Sequence, residues 1–91
     1  MSIPPPVNFQ YHPDNKTLSW DEVPDAEEYE VYFKPDSPSA DWNIAYNGGN
    51  DTHCSFEQPE GLYIVYGRSR DKGGWGTGGP EETVQVSSPT S

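Results

Sequence analysis

A chain of 91 residues has room for one hydrophobic core, which excludes an enzyme assembled from two domains. Ten prolines and nine glycines interrupt every stretch that a helical bundle would need, while 3 Trp, 6 Tyr and 3 Phe argue against a disordered chain. Fifteen acids against five bases give a net charge of −10, which repels the polyanionic backbone of nucleic acid and anionic membrane surfaces alike.

The apolar residues then define the class. Only Leu18 and Leu62 are leucines, and the remainder is dominated by β-branched and aromatic side chains, which suit pleated, half-buried surfaces. No apolar run approaches the roughly 20 residues that cross a bilayer, so no membrane insertion is expected. Met1-Ser2-Ile3 runs into Pro4-Pro5-Pro6 without the apolar stretch of a signal peptide. Residues 1–5 read as a Pro-rich lead ahead of a domain over 6–87, and the Ser/Pro residues 88–91 read as a linker stub.

Val7 and Phe9 alternate as a first strand, Tyr11 to Asn15 has turn chemistry, and Thr17 to Trp20 alternates again. Asp21 to Asp25 is a polar loop. In the third strand Tyr29, Val31 and Phe33 share one face, and Glu30, Tyr32 and Lys34 share the other. Pro35 to Asp41 is a loop, Trp42 to Tyr46 a fourth strand, Asn47 to Asn50 a turn, and Thr52 to Phe56 a fifth strand. Pro59-Glu60-Gly61 turns the chain into Tyr63 to Arg70, the longest extended run. Asp71 to Pro80 holds five of the nine glycines together with Trp75 and reads as flexible. Thr83 to Val86 closes the domain. These segments predict an all-β, seven-stranded antiparallel two-sheet sandwich.

The pieces resemble a fibronectin type III domain, over nearly the whole chain. They are Pro6-x-x-Phe9, Leu18-Ser19-Trp20-Asp21 with Val23-Pro24 and Ala26, Tyr29-x-Val31-x-Phe33, Pro59-x-Gly61-x-Tyr63-x-Val65, and Thr83 to Val86. The resemblance implies that Trp20 fills the centre of the core, with Tyr29, Val31, Phe33 and Val65 around it. It also implies that the Tyr63 hydroxyl closes a corner by bonding back to the preceding loop. Where such domains carry a Leu ahead of that corner, this chain has Glu57, and Phe56 is expected to take over its packing. Gly67 is expected to mark a bulge or the close approach of a large side chain such as Trp20. The adhesive tripeptide Arg-Gly-Asp is absent, Ser69 preceding Arg70-Asp71.

Candidate sites follow from the alternation. If the third and sixth strands are antiparallel neighbours, Glu28 and Glu30 meet Arg70 and Arg68, and Tyr32 lies beside Tyr66. Trp75 either folds over Arg68 or Arg70 in a cation–π stack or stands exposed as a contact. Trp42, Tyr32 and Tyr66 can line one open face on which a sugar ring could stack. Trp20 is expected to be fully protected from solvent and Trp75 to be the most accessible indole.

Asp21, Glu22, Asp25, Glu27, Glu28 and Glu30 read as a solvated acidic loop, because neither a calcium-loop spacing nor an apolar pocket for an acid/base carboxyl accompanies them. His12 and His53 have no second ligand, so no metal is expected. No nucleophile turn and no phosphate loop is present, so no catalytic residue and no cofactor is expected. Cys54, the single cysteine, has no disulfide partner and reads as an inert buried thiol. Asn15-Lys16-Thr17 and Asn50-Asp51-Thr52 fit the N-glycosylation pattern.

The function expected is that of a non-catalytic module. It would space or dock parts of a larger extracellular, cell-surface or virion assembly, with a protein partner or neighbouring domains bound through Trp75, Trp42, Tyr32, Tyr66, Arg68 and Arg70. The alternative is carbohydrate binding or adhesion through Trp75, Trp42 and Tyr66. The resemblance implies these settings, since similar domains occur in receptors, in polysaccharide-degrading enzymes and in phage particles.

Overall fold

A computed structural model describes residues 3–87, so Met1, Ser2 and the linker stub 88–91 lie outside the described residues. The strands in chain order are β1 (Gln10–His12), β2 (Thr17–Ser19), β3 (Glu28–Pro35), β4 (Asn43–Gly49), β5 (His53–Ser55), β6 (Gly61–Asp71), β7 (Gly74–Trp75) and β8 (Glu82–Val86). One sheet has the order β1-β2-β5; the other runs β4-β3-β6, with β7 and β8 sharing the far edge of β6. Every pairing is antiparallel. The all-β two-sheet class is as expected, with eight strands where seven were predicted.

The core forms where the inward faces meet. Trp20 is 4% exposed and its ring packs against Phe9, Tyr29 and Tyr46 at centroid distances of 5.8, 5.9 and 5.5 Å. A second aromatic centre surrounds Phe56, which meets Phe33 edge-on at 4.9 Å and Tyr63 at 5.6 Å. Phe56 does take the position that Glu57 cannot fill. The Tyr63 hydroxyl donates to the Pro59 carbonyl at 2.8 Å, closing the predicted corner. Tyr29 supports the adjoining loop, its hydroxyl accepting from the Val23 amide at 2.8 Å. Trp20 Nε1 and Ser69 Oγ are buried with no partner among the described residues.

Several boundaries differ from the sequence reading. Val7 and Phe9 do not form a strand, because Asn8 adopts φ 60° and breaks the extended run. The amides of Asn8 and Phe9 instead donate to the Glu82 carboxylate, each at 3.0 Å. The first strand therefore begins at Gln10 and takes in Tyr11 and His12, two residues assigned to the turn. The expected turn at Asn47 to Asn50 lies largely in β4, where two register shifts against β3 and Gly48 at φ 92° carry the strand to Gly49.

The Gly-rich stretch is not open chain either. It makes a hairpin in which Arg70 pairs with Trp75 and Asp71 with Gly74, its turn fastened by the Gly73 amide on Asp71 Oδ1 at 2.8 Å. Gly67 sits in an unbroken register opposite Val31, so there is no bulge. The close neighbours there are Pro6 and Phe9 and not Trp20. Ile3, placed by sequence in the lead, is only 5% exposed and belongs to the core. The packed domain thus starts upstream of residue 6.

Candidate interaction face

Strand parity decides which side chains leave the core. On β6, Tyr63, Val65, Gly67 and Ser69 are buried and point inward, so Leu62, Ile64, Tyr66, Arg68 and Arg70 point outward. On β3 the outward set is Glu28, Glu30, Tyr32 and Lys34. The register sets Glu28 opposite Arg70, Glu30 opposite Arg68, Tyr32 opposite Tyr66 and Lys34 opposite Ile64. The predicted cross-strand ladder is present in that register.

One end of this face is ionic. Arg68 Nε and Nη2 both reach Glu30 Oε1 at 2.6 Å, and the Tyr32 hydroxyl donates to the same oxygen at 2.7 Å. That carboxylate raises the pKa of the Tyr32 phenol, whose neutral form it accepts from, and also raises that of the Arg68 guanidinium it neutralises. Arg70 bonds Glu28 through Nε at 2.6 Å and through Nη2, and reaches Glu27 at 3.4 Å. Trp75 lies over Arg68, guanidinium carbon to ring centroid 4.5 Å. The indole thus takes the cation–π position, on Arg68 and not on its register partner Arg70.

The other end is aromatic. Tyr32 and Tyr66 stack at 5.2 Å with 19° between their planes, and Trp42 meets Tyr66 edge-on at 4.8 Å and 84°. Lys34 Nζ sits 5.0 Å from the Trp42 ring centre. Trp42, Ile44 and Leu62 are 37%, 56% and 49% exposed, the large hydrophobic side chains left in water among the described residues. All three lie on this face, since Ile44 pairs with the outward Tyr32, Trp42 shares its parity, and Leu62 alternates with the inward Tyr63.

The structure gathers all six site residues expected from sequence, Trp75, Trp42, Tyr32, Tyr66, Arg68 and Arg70, onto one sheet face. It corrects their order of exposure, because Trp42 is more accessible than Trp75, whose ring Arg68 covers. Ile44 and Leu62 were missed, and Lys34, expected on the outward side of the third strand, was not counted among the site residues. The signal was available, as each alternates with an inward residue of the same strand.

The acidic run expected as a solvated loop divides: Glu28 and Glu30 belong to the ladder of this face, Glu27 reaches Arg70 at its end, and Asp25, Glu27 and Asp71 border a depression with Lys72 and Gly73. Among the described residues no group of three His, Cys, Asp or Glu side chains is arranged to hold a metal ion. Cys54 is half-buried where a buried thiol was expected, and burial pushes its pKa up to about 11. Thr17 Oγ1 donates to Asn15 Oδ1 at 2.6 Å across the exposed β1–β2 turn.

No family model and no curated protein matches the sequence. Solved structures do match. An Fn3-like protein from Clostridium thermocellum superposes with a TM-score of 0.70 at 13% identity, over 100% of both chains. A protein designated FN3tt gives 0.60 at 22% identity over 97% of both chains. The third fibronectin III domain of human KIAA0343 protein gives 0.63 at 22% identity, over all of this chain and 92% of that one. With the Trp20 core, the Tyr63 corner and the strand order, these likenesses establish a fibronectin type III fold.

Proposed function

We propose that the chain is a non-catalytic interaction module that docks a protein partner, or a neighbouring domain of the same assembly, on the outward face of the β4-β3-β6 sheet. The observation that carries this reading is that Trp42, Ile44 and Leu62 are all exposed on that one face, Trp42 against Tyr66. An apolar patch bordered by fixed charges, here Glu28, Glu30, Arg68 and Arg70, has the anatomy of a protein interface. The net charge of −10 would steer a partner carrying basic groups around its contact surface.

Carbohydrate binding and adhesion form the second reading, favoured by the exposed indole of Trp42 at the start of β4. Sugar rings stack on free aromatic faces. Here Tyr32 and Tyr66 face each other, Lys34 lies over Trp42 and Arg68 lies over Trp75, which weighs toward a protein ligand.

The test compares the chain with the double variant Trp42→Ala/Ile44→Ser as immobilised baits for proteins of its source. A recovered partner is then titrated into isotope-labelled chain. Signals of Trp42, Ile44 and Tyr66 should shift, and the double variant should lose binding at least tenfold. Binding that survives the double substitution, or shifts confined to the β1-β2-β5 sheet, overturns the reading. Retardation of the chain by soluble polysaccharide, abolished by Trp42→Ala, would select the second one.

A further inference from the structure

The Pro-rich lead and the Gly-rich loop, far apart in sequence, fit against each other. Ile3 is buried and Pro6 fully so, and both lie against glycines of β6 and of the segment between β7 and β8. A Cβ on Gly67 would stand 2.8 Å from Pro6 Cγ, one on Gly79 2.8 Å from Pro5 Cβ, and one on Gly76 would collide with the Ile3 carbonyl oxygen. Gly76 and Gly79 are themselves tied to β6, their amides donating to the Ser69 and Gly67 carbonyls at 2.8 Å. On the opposite side of the same loop, a Cβ on Gly78 would come within 3.1 Å of the Tyr66 ring, and Trp75 immediately precedes Gly76. The buried Ile3 and Pro6 and the half-buried Pro5 thus meet this segment and β6 from one side and Tyr66 meets it from the other, with Trp75 just ahead of the loop.

We propose that residues 3–6 act as a strap that holds the 76–79 loop in order, and that through this loop the strap controls the placement of Trp75 and Tyr66 on the outward face. A loop whose glycines bring no side chains to the core has little apolar area of its own to bury. Its inward support comes from Ile3 and Pro5 and its outward support from Tyr66, so loss of the strap leaves the Tyr66 contact and the backbone hydrogen bonds of Gly76 and Gly79 to resist opening. Displacement of the strap therefore loosens the indole from Arg68, and whatever moves the chain ahead of Ile3 tunes the docking surface. That last consequence rests on the function proposed above; the order of the loop does not.

Native-state hydrogen exchange at residues 76 and 79 tests the strap without any partner. Ile3→Ser withdraws it and Gly79→Ala pushes it off from the loop side. In both variants exchange at these two amides should rise about tenfold more than in the β3–β6 ladder. Acrylamide quenching of Trp75 should rise in parallel, read in a Trp42→Phe background where Trp20 remains buried. If Ile3→Ser lowers global stability until every amide exchanges together, Pro5→Ala, at a half-buried position, reads the same loop against an intact ladder. Unchanged exchange at the loop, or a rise equal to that of the ladder in Pro5→Ala and Gly79→Ala, overturns the proposal. Either result leaves the docking test unaffected.

Discussion

Tyr63, Val65, Gly67 and Ser69 point from β6 into the core, whereas Ile64, Tyr66, Arg68 and Arg70, alternating with them, point away. The inner set is held by burial in the packed core, so a change of side-chain volume at any of them costs stability. The outer set is held by pairs: carboxylate on guanidinium, phenol on phenol, cation on indole. Each such pair contributes a fraction of a kcal/mol to about one. One strand therefore carries a face that makes the fold and a face that the fold could do without, and a side chain kept on the second is available for a partner.

The sharpest way to break this comparison is at the centre of the inner side. Trp20→Ala should destabilise the domain by about 3–5 kcal/mol, measured by denaturant unfolding, because Phe9, Tyr29 and Tyr46 all lose their common partner. A loss below 1 kcal/mol would mean that the two sheets are not packed through this ring. Next comes Glu82, whose carboxylate takes both the Asn8 and the Phe9 amides. Glu82→Ala should cost about 1.5–3 kcal/mol, the range for hydrogen bonds to a charged acceptor. It should also release Ile3 to Pro6, visible as faster exchange at the Phe9 amide.

These two sites also separate what the sequence discloses from what it conceals. Trp20, the Tyr63 corner and the packing of Phe56 in place of Glu57 were legible through the resemblance of their motifs to fibronectin type III domains, and the Glu30–Arg68 pairing through strand alternation once the third and sixth strands are taken as antiparallel neighbours. The Glu82 clamp joins positions more than seventy residues apart in the chain, and no local pattern distinguishes it from any solvated acid. Gly76 and Gly79 were read as flexibility because a glycine signals freedom and close approach with the same letter; only the arrival of Ile3 and Pro5 tells which applies. The ranking of the indoles failed for a related reason. Trp75 sits among glycines, but its exposure is set by Arg68, which is adjacent only through the β6–β7 hairpin.

On the outer face the expected effects shrink and acquire a pH signature. Glu30 raises the Tyr32 pKa above its ordinary value of 10.0, so the folded state holds the phenol protonated more tightly than the unfolded chain does. The stabilisation from this bond is complete below the unfolded pKa and disappears as pH climbs through the folded one. Unfolding free energy should therefore decline from about pH 9, where the unfolded Cys54 thiol begins to ionise, and more steeply above pH 10, where Tyr32, Tyr46 and Tyr63 add to it in the same direction. Tyr32→Phe should remove part of that slope while changing neutral-pH stability by about 1 kcal/mol or less. An identical alkaline slope in the variant would show that the Tyr32–Glu30 bond does not form in solution.

The smallest stability effect carries the most weight for function. Ile44 is more exposed than either Trp42 or Leu62, although it stands opposite Tyr32 on the edge strand. A side chain already in water contributes little to folding, so Ile44→Ser should alter stability by no more than about 0.5 kcal/mol. The same change should nonetheless weaken partner binding, since it places a hydroxyl in an apolar patch that must be dried on contact. Should Ile44→Ser instead destabilise the domain by several kcal/mol, the outer side chains would be part of the packing that holds β4 to β3. The distinction between the two faces of the sheet would then fail at the position where it predicts the clearest separation of folding from binding.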